Sequence, residues 1–222
     1  WAVIPIKNLN ETKHRLKSAL NPQERRDFFV EMFEDVLTTL LAVPELEQVA
    51  VATVCPIAGK IAKKYGTSVL FTEKDEGQTA AVTRTAEILE SKRVAKMLML
   101  PGDVPLVTVE EIQTVIATHE NACSTPDVPA MTIVPARDEQ GSNCIVLSPP
   151  TAAPLRFGPN SYFPHLETAR KLGVSLQTLK LPGIGLDIDT PEDLLELGRQ
   201  SVQTRAQNYL QKYKILERIK IA

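Results

Sequence analysis

Lys96-Met97-Leu98-Met99-Leu100-Pro101-Gly102-Asp103 decides how the rest of the chain is read. Four apolar residues in a row run into a Pro-Gly turn and a carboxylate. A run this short, with no polar residue on alternate positions, fits a strand buried on both faces. Strands of that kind belong to parallel sheets covered by helices, and in such folds ligands bind beyond the carboxyl ends of the strands. Asp103 stands at that place.

Working outward, strand-like and helix-like segments alternate. Ala2–Ile6 and Val49–Val54 are apolar runs upstream, and Ser68–Phe71 is a further strand. Asn21-Pro22-Gln23-Glu24 reads as cap, first-turn proline and capping-box glutamate. The apolar stripe Phe29, Met32, Phe33, Val36, Leu37, Leu40 and Leu41 follows it at helical spacing. Helices are also expected at Ile57–Tyr65, at Thr79–Glu90 and from Thr108 to about His119, the last opened by a Thr108–Glu111 capping box. Ala130–Val134 and Asn143–Leu147 flank the polar turn Asp138-Glu139-Gln140-Gly141 and suggest a hairpin. Tyr162–Leu172 is a helix, Ser175–Leu179 a strand, and Thr190-Pro191-Glu192-Asp193 another helix start. The expected fold is α/β: a three-layer α/β/α domain with a mostly parallel, mixed sheet over residues 1–200. A helical tail is expected over 201–222, and a dimerisation helix, hence a homodimer, is one reading of it.

Composition narrows the partners. The chain has 222 residues, with 27 acidic against 25 basic side chains and a net charge of −2. That balance argues against a broad basic face for nucleic acid, but a small phosphate-bearing ligand needs only a few local cations. Cys55, Cys123 and Cys144 are odd in number and widely spaced, which speaks against a zinc or disulfide framework and fits a reducing, cytoplasmic setting. No apolar run approaches the ~20 residues of a membrane span, and Trp1–Pro5 lacks the order of a signal peptide.

The loop after the first strand holds Lys7, Lys13 and Arg15 beside Asn8 and Asn10, charges suited to a polyphosphate or to plain solvation. P-loop and dinucleotide glycine fingerprints are absent. Asp187 and Asp189 are two apart; if extended they share one side, ~7 Å apart. They repel unless a cation lies between them or each finds its own donors. With Asp103 they suggest a magnesium site, against the plainer reading of a turn aspartate and a residue at a helix start, which is also the reading of Asp193. Gly158-Pro159-Asn160-Ser161 can receive an anion or simply cap a helix. His119 and His165 read as surface residues, and no Ser/His/Asp or Cys/His arrangement suggests a covalent nucleophile.

Taken together, several stretches resemble the guanylyltransferases of coenzyme F-420 biosynthesis. These are Ile4-Pro5-Ile6-Lys7 with Lys13–Leu16, Leu100-Pro101-Gly102-Asp103-Val104-Pro105-Leu106, Gly141-Ser142-Asn143, Phe157–Ser161 and Gly185–Leu194, in the family's order over residues 1 to 197. The resemblance implies a Rossmann-like nucleotidyltransferase fold using magnesium. It joins GMP from GTP to a small phosphorylated acid: 2-phospho-L-lactate, phosphoenolpyruvate or 3-phosphoglycerate. It places metal carboxylates on Asp103, Asp187 and Asp189, triphosphate contacts on Lys7, Lys13 and Arg15, and acid contacts on Ser142, Gly158 and Ser161. Near the guanine pocket the family's Gly-Leu-Asn-Ala-Ala reads Gly77-Gln78-Thr79-Ala80-Ala81, so the carry-over there falls on Gly77 and Thr79. The next enzyme of the pathway is a further expected partner. The alternatives are a nucleotidyltransferase of the molybdenum-cofactor or sugar-phosphate type, and a non-catalytic partner module.

Overall fold

In β1 (Ala2–Ile6) the side chains of Ala2, Ile4 and Ile6 enter one apolar core and Val3 enters another. That period of two is why the sheet needs cover on both faces. A computed structural model describes residues 1–9, 12–71, 77–123 and 128–219. After β1 come α1 (Pro22–Leu41), β2 (Val49–Thr53), α2 (Pro56–Lys64), β3 (Ser68–Phe71), α3 (Gly77–Ser91), β4 (Met97–Met99) and α4 (Val109–Ala122). The second half adds β5 (Ala130–Pro135), β6 (Ser142–Ser148), α5 (Tyr162–Lys171), β7 (Ser175–Thr178), α6 (Pro182–Gly185), α7 (Pro191–Arg199) and α8 (Arg205–Lys212).

The strands form a seven-stranded sheet in the order β3-β2-β1-β4-β6-β5-β7. Pairing is parallel except where β6 lies antiparallel between β4 and β5, so the expected hairpin is the mixed insertion. Side chains of α1, α2, α4, α7 and α8 join the core on one face; those of α3 and α5 join the core on the other. From β1 the chain steps outward through β2 and β3, then returns to the opposite side of β1 as β4. The order reverses between β1 and β4, and the loops after their carboxyl ends spread apart there into a crevice.

α1 starts as expected: Asn21 and Glu24 form the reciprocal capping box with Pro22 in the first turn. α4 differs. Thr108 accepts the Glu111 N–H, and the Glu111 carboxylate does more than close that cap. It accepts from the backbone N–H groups of Gly183 at 2.7 Å and Ile184 at 3.1 Å, capping α6 from another element. Gly183 is required at that approach, since a Cβ there would fall on the Leu106 carbonyl and on the Glu111 carboxylate. With four residues, α6 is too short to leave a periodic signal in the sequence.

The tail is also corrected. α8 is built into the domain rather than appended to it: Leu210 is fully buried and the Tyr209 ring lies 5.9 Å from Phe28 of α1. The Asp35 carboxylate of α1 caps its first turn, accepting from Arg205 N at 2.9 Å and Ala206 N at 3.0 Å. Tyr209, Leu210 and Ile215 of the tail are thus covered within the chain, while Tyr213 stays exposed. No helix among the described residues is long and apolar enough to cross a membrane.

Candidate functional site

Two clefts open at the reversal point. The first, about 250 Å³, lies between the ends of β1 and β2 and the start of α3, with Lys7, Thr53, Gly77, Gln78, Ala81 and Gly102 on its walls. The second, about 640 Å³, is walled by Arg15, Ser142, Asn143, Phe157–Ser161 and Asp187. They meet at Lys7, Gln78, Pro101, Asp103 and Asp189.

At the junction the carboxylates divide unequally. The loop leaving β1 turns through Lys13 in a left-handed conformation, φ 56°, which costs a residue with a Cβ roughly 1–2 kcal/mol. This turn buries the Lys13 ammonium between Asp103 Oδ2 at 2.5 Å and Asp189 Oδ1 at 2.7 Å. Burial alone would depress the Lys13 pKa, but the charges of Asp103 and Asp189 outweigh it and hold it above the ordinary lysine value. Burial would likewise raise Asp189, yet Lys13, then Arg15 and Lys7, keep it below the usual carboxylate range. Arg15 Nη1 stands 3.6 Å from Asp189 Oδ2 and is otherwise exposed.

Among the described residues no cation forms an ion pair with Asp187. Asn143 Nδ2 donates to its Oδ1 at 3.0 Å, and the same amide donates to the Ile184 carbonyl at 2.9 Å, which fixes the segment after α6. Burial, with the charge of Asp103 added, pushes the Asp187 carboxyl up to about 6. Asp103 Oδ1 is buried and has no hydrogen-bond partner among the described residues. The segment 186–189 is not a strand. The expected repulsion is relieved by separate donors, Asn143 for Asp187 and Lys13 for Asp189. Among the described residues no three His, Cys, Asp or Glu side chains gather closely enough to hold a metal ion. Lys13 thus holds Asp189 and one oxygen of Asp103, while Asp103 Oδ1 and Asp187 are in no ion pair among the described residues. Magnesium takes one or two carboxylates and completes its shell with water and phosphate oxygens, and those two groups fit that donor set. Asp193 acts as expected at the helix start, its carboxylate accepting from the N–H groups of Asp189 and Thr190.

In the second cleft, Gly158 at φ 139° and Asn160 at φ 56° fold the loop back onto α5. Ser161 begins that helix, but its hydroxyl caps nothing; it donates to Ser142 Oγ at 3.3 Å. His165, one turn along, is 2% exposed, contrary to the surface position expected for it. Its Nδ1 stands 2.9 Å from Ser142 Oγ and its Nε2 accepts the Arg156 backbone N–H at 2.9 Å. His119 is buried too, between Thr132 and Ser148 Oγ atoms, away from both clefts. Burial pushes both imidazoles down to about 4. Thr79, read as a base contact, accepts the Phe157 backbone N–H at 2.9 Å and so ties α3 to the loop of the second cleft. Asn10 lies outside the described residues. Glu111, Asn143 and His165 were not legible as site residues, because each acts through partners distant in sequence.

Residues 1–220 match a family model described as "Guanylyl transferase CofC like". The chain is 29% identical over 194 residues to a phosphoenolpyruvate guanylyltransferase of Conexibacter woesei, covering 87% of this chain and 85% of that one. It is 30% identical over 192 residues to a 3-phospho-D-glycerate guanylyltransferase of Colwellia psychrerythraea, covering 86% and 88%. A crystal structure from Desulfovibrio desulfuricans, described as a nucleotide-diphospho-sugar transferase, superposes with a TM-score of 0.76 at 15% identity, covering 98% of this chain and 96% of that one. At that identity the likeness is one of fold.

Proposed function

Because the chain belongs to the CofC-like guanylyl transferase family, we propose that it transfers GMP from GTP to a small phosphorylated carboxylic acid of coenzyme F-420 biosynthesis. The acid's phosphate oxygen attacks the α-phosphorus in line, the new P–O bond forms as the bond to the β-phosphate oxygen breaks, and pyrophosphate leaves. The observation that carries this reading is the meeting of two clefts at Asp103, with Lys7 and Arg15 near the junction and the donors Ser142 and Ser161 deeper in the second.

In this reading the nucleotide occupies the first cleft, its base toward Gly77 and Gln78 and its phosphates toward Lys7 at the junction, where Arg15 stands on the side of the second cleft. Lys13 acts one step removed: by binding Asp189 and one oxygen of Asp103 it fixes both carboxylates at the junction of the clefts. The acid lies in the second cleft against Ser142, Gly158 and Ser161. Asp103 and Asp187 would hold magnesium, which when bound screens the repulsion between acceptor phosphate and triphosphate. No side chain is needed as a nucleophile, so the protein's contribution is positioning and charge stabilisation. Asn143 keeps Asp187 in place for that task.

Phosphoenolpyruvate, 3-phosphoglycerate and 2-phospho-L-lactate share an acceptor phosphate and a carboxylate, the two groups these clefts address. The test is pyrophosphate release from GTP with magnesium and each acid in turn, with pyrophosphatase present to draw the reaction forward. Release with at least one acid, and none with CTP, is expected. Release with none of them, or a preference for CTP, overturns the proposal.

A further inference from the structure

His165 is more than a core histidine with its polar atoms satisfied. Its Nε2 accepts the Arg156 N–H, so that nitrogen carries no proton. In a neutral ring the proton is then on Nδ1, and Nδ1–H must donate across 2.9 Å to Ser142 Oγ. The Ser161 hydroxyl donates to the same oxygen. A hydroxyl oxygen has two acceptor positions, and both are now taken. What Ser142 retains is its own proton, and it sits on the wall of the second cleft.

We infer that His165 is a positioning residue that makes Ser142 an obligate hydrogen-bond donor toward the ligand of the second cleft. The identity of that ligand, a phosphorylated carboxylic acid, rests on the function proposed above; the polarity of Ser142 does not. A donor-only serine suits carboxylate and phosphate oxygens, which only accept. It disfavours an amide N–H or a sugar hydroxyl that must donate at the same point, because two donors would face each other.

The ring is held for this task from the cleft side as well. Arg156 and Phe157 open the loop that ends at Ser161, and the Phe157 ring meets the imidazole edge-on at 5.6 Å and 64°. Ser161 and His165 are one helical turn apart on α5, joined by the His165 N–H to Ser161 carbonyl bond. Both donors to Ser142 therefore come from one face of one helix. Burial keeps the imidazole neutral throughout the physiological range, so the arrangement does not switch with pH.

The test has two independent arms on the full chain. In a long-range proton–nitrogen spectrum of protein labelled with ¹⁵N-histidine, His165, assigned through its contacts with the Phe157 ring, is expected as the Nδ1–H tautomer. An Nε2–H tautomer or a charged ring at pH 7 overturns the inference. This arm needs no turnover, so it stands or falls apart from the proposed reaction. In steady-state kinetics with GTP and the preferred acid, His165→Leu should raise the KM for the acid tenfold or more and leave the KM for GTP within twofold. His165→Asn, whose amide nitrogen falls near the position of Nδ1, should recover most of the loss. A parallel rise in both KM values, or no rescue by asparagine, would show a merely structural role and sink the idea. If His165→Leu does not fold, the spectrum and the asparagine variant still decide.

Discussion

Two buried polar knots flank Asp103, and they solve one problem with opposite chemistry. In the first, an ammonium is clamped between two carboxylates, Lys13 between Asp103 and Asp189. In the second, a neutral imidazole and two hydroxyls are joined through Ser142. Each knot commits part of the hydrogen-bonding capacity of a residue that lines a cleft. Lys13 leaves Asp103 Oδ1 without a partner, and His165 leaves Ser142 its proton. The difference is in what each depends on. The ionic knot depends on charge state and on all three members being present, whereas the neutral knot depends only on which nitrogen carries a hydrogen. The first knot therefore belongs where charge must be concentrated, and the second where a neutral donor must be aimed at one point.

The largest expected effect comes from breaking the ionic knot. Lys13→Met leaves Asp103 and Asp189 facing each other with nothing between them. Removing one partner of a buried pair costs about 3–5 kcal/mol; the Asp189 side chain is 40% exposed, so the expected loss is near the lower end, about 3 kcal/mol. Urea unfolding measures it, and turnover should fall with it. An unchanged midpoint would mean that the knot only positions groups and adds no stability.

Next comes Asp187, the carboxylate outside both knots. Its carboxyl is pushed up to about 6 by burial and by Asp103, above the ordinary ≈ 3.9 of the unfolded chain. A carboxyl with a raised folded-state pKa binds protons more tightly in the native protein. Stability therefore declines as pH rises from about 4 to about 6, and the penalty is complete at neutral pH. Asp187→Asn should raise stability at pH 7 by roughly 2 kcal/mol, measured by urea unfolding in the presence of a chelator, while abolishing pyrophosphate release. Asp189, held low by Lys13, has the opposite sign: its contribution is present above the unfolded pKa and is lost as pH falls. If Asp187→Asn destabilised the protein, the assignment of Asp187 as the strained member of the site would be wrong.

How much of this was legible follows from how far each signal travels along the chain. Buried strands, helix caps at Asn21 and Thr190, and the hairpin announce themselves over a few residues, so the layers and the mixed sheet followed from periodicity. The three aspartates were also legible, because Asp103 ends a strand and Asp187 and Asp189 precede a capped helix. Their division was not, since it is made by Lys13, 90 and 176 positions from its partners. His165 was misread for the same reason: a histidine on an amphipathic helix gives no sign of Ser142 and Arg156 waiting across the cleft. Glu111 has the pattern of a capping box, which gives no sign that its carboxylate also caps α6. α8 was predicted as a helix, but the packing that absorbs its apolar face lies on α1 and is set by Asp35 and Phe28.

The smallest effect is the one that asks whether the two regions are independent. Thr79 Oγ1 accepts the Phe157 N–H. Thr79 lies in the first turn of α3, whose Gly77 and Gln78 line the first cleft, while Phe157 packs on the imidazole of the second knot. Thr79→Val keeps the shape and removes the acceptor. A hydrogen bond of this kind contributes about 1 kcal/mol, so the KM for the acid should rise about fivefold. If α3 carries the nucleotide, the KM for GTP should rise as well, by less, because the first cleft keeps its other walls. A change confined to the acid would mean the two clefts are filled independently. A change in both means that occupation of one preorganises the other, and the two knots then behave as one site joined through a single threonine.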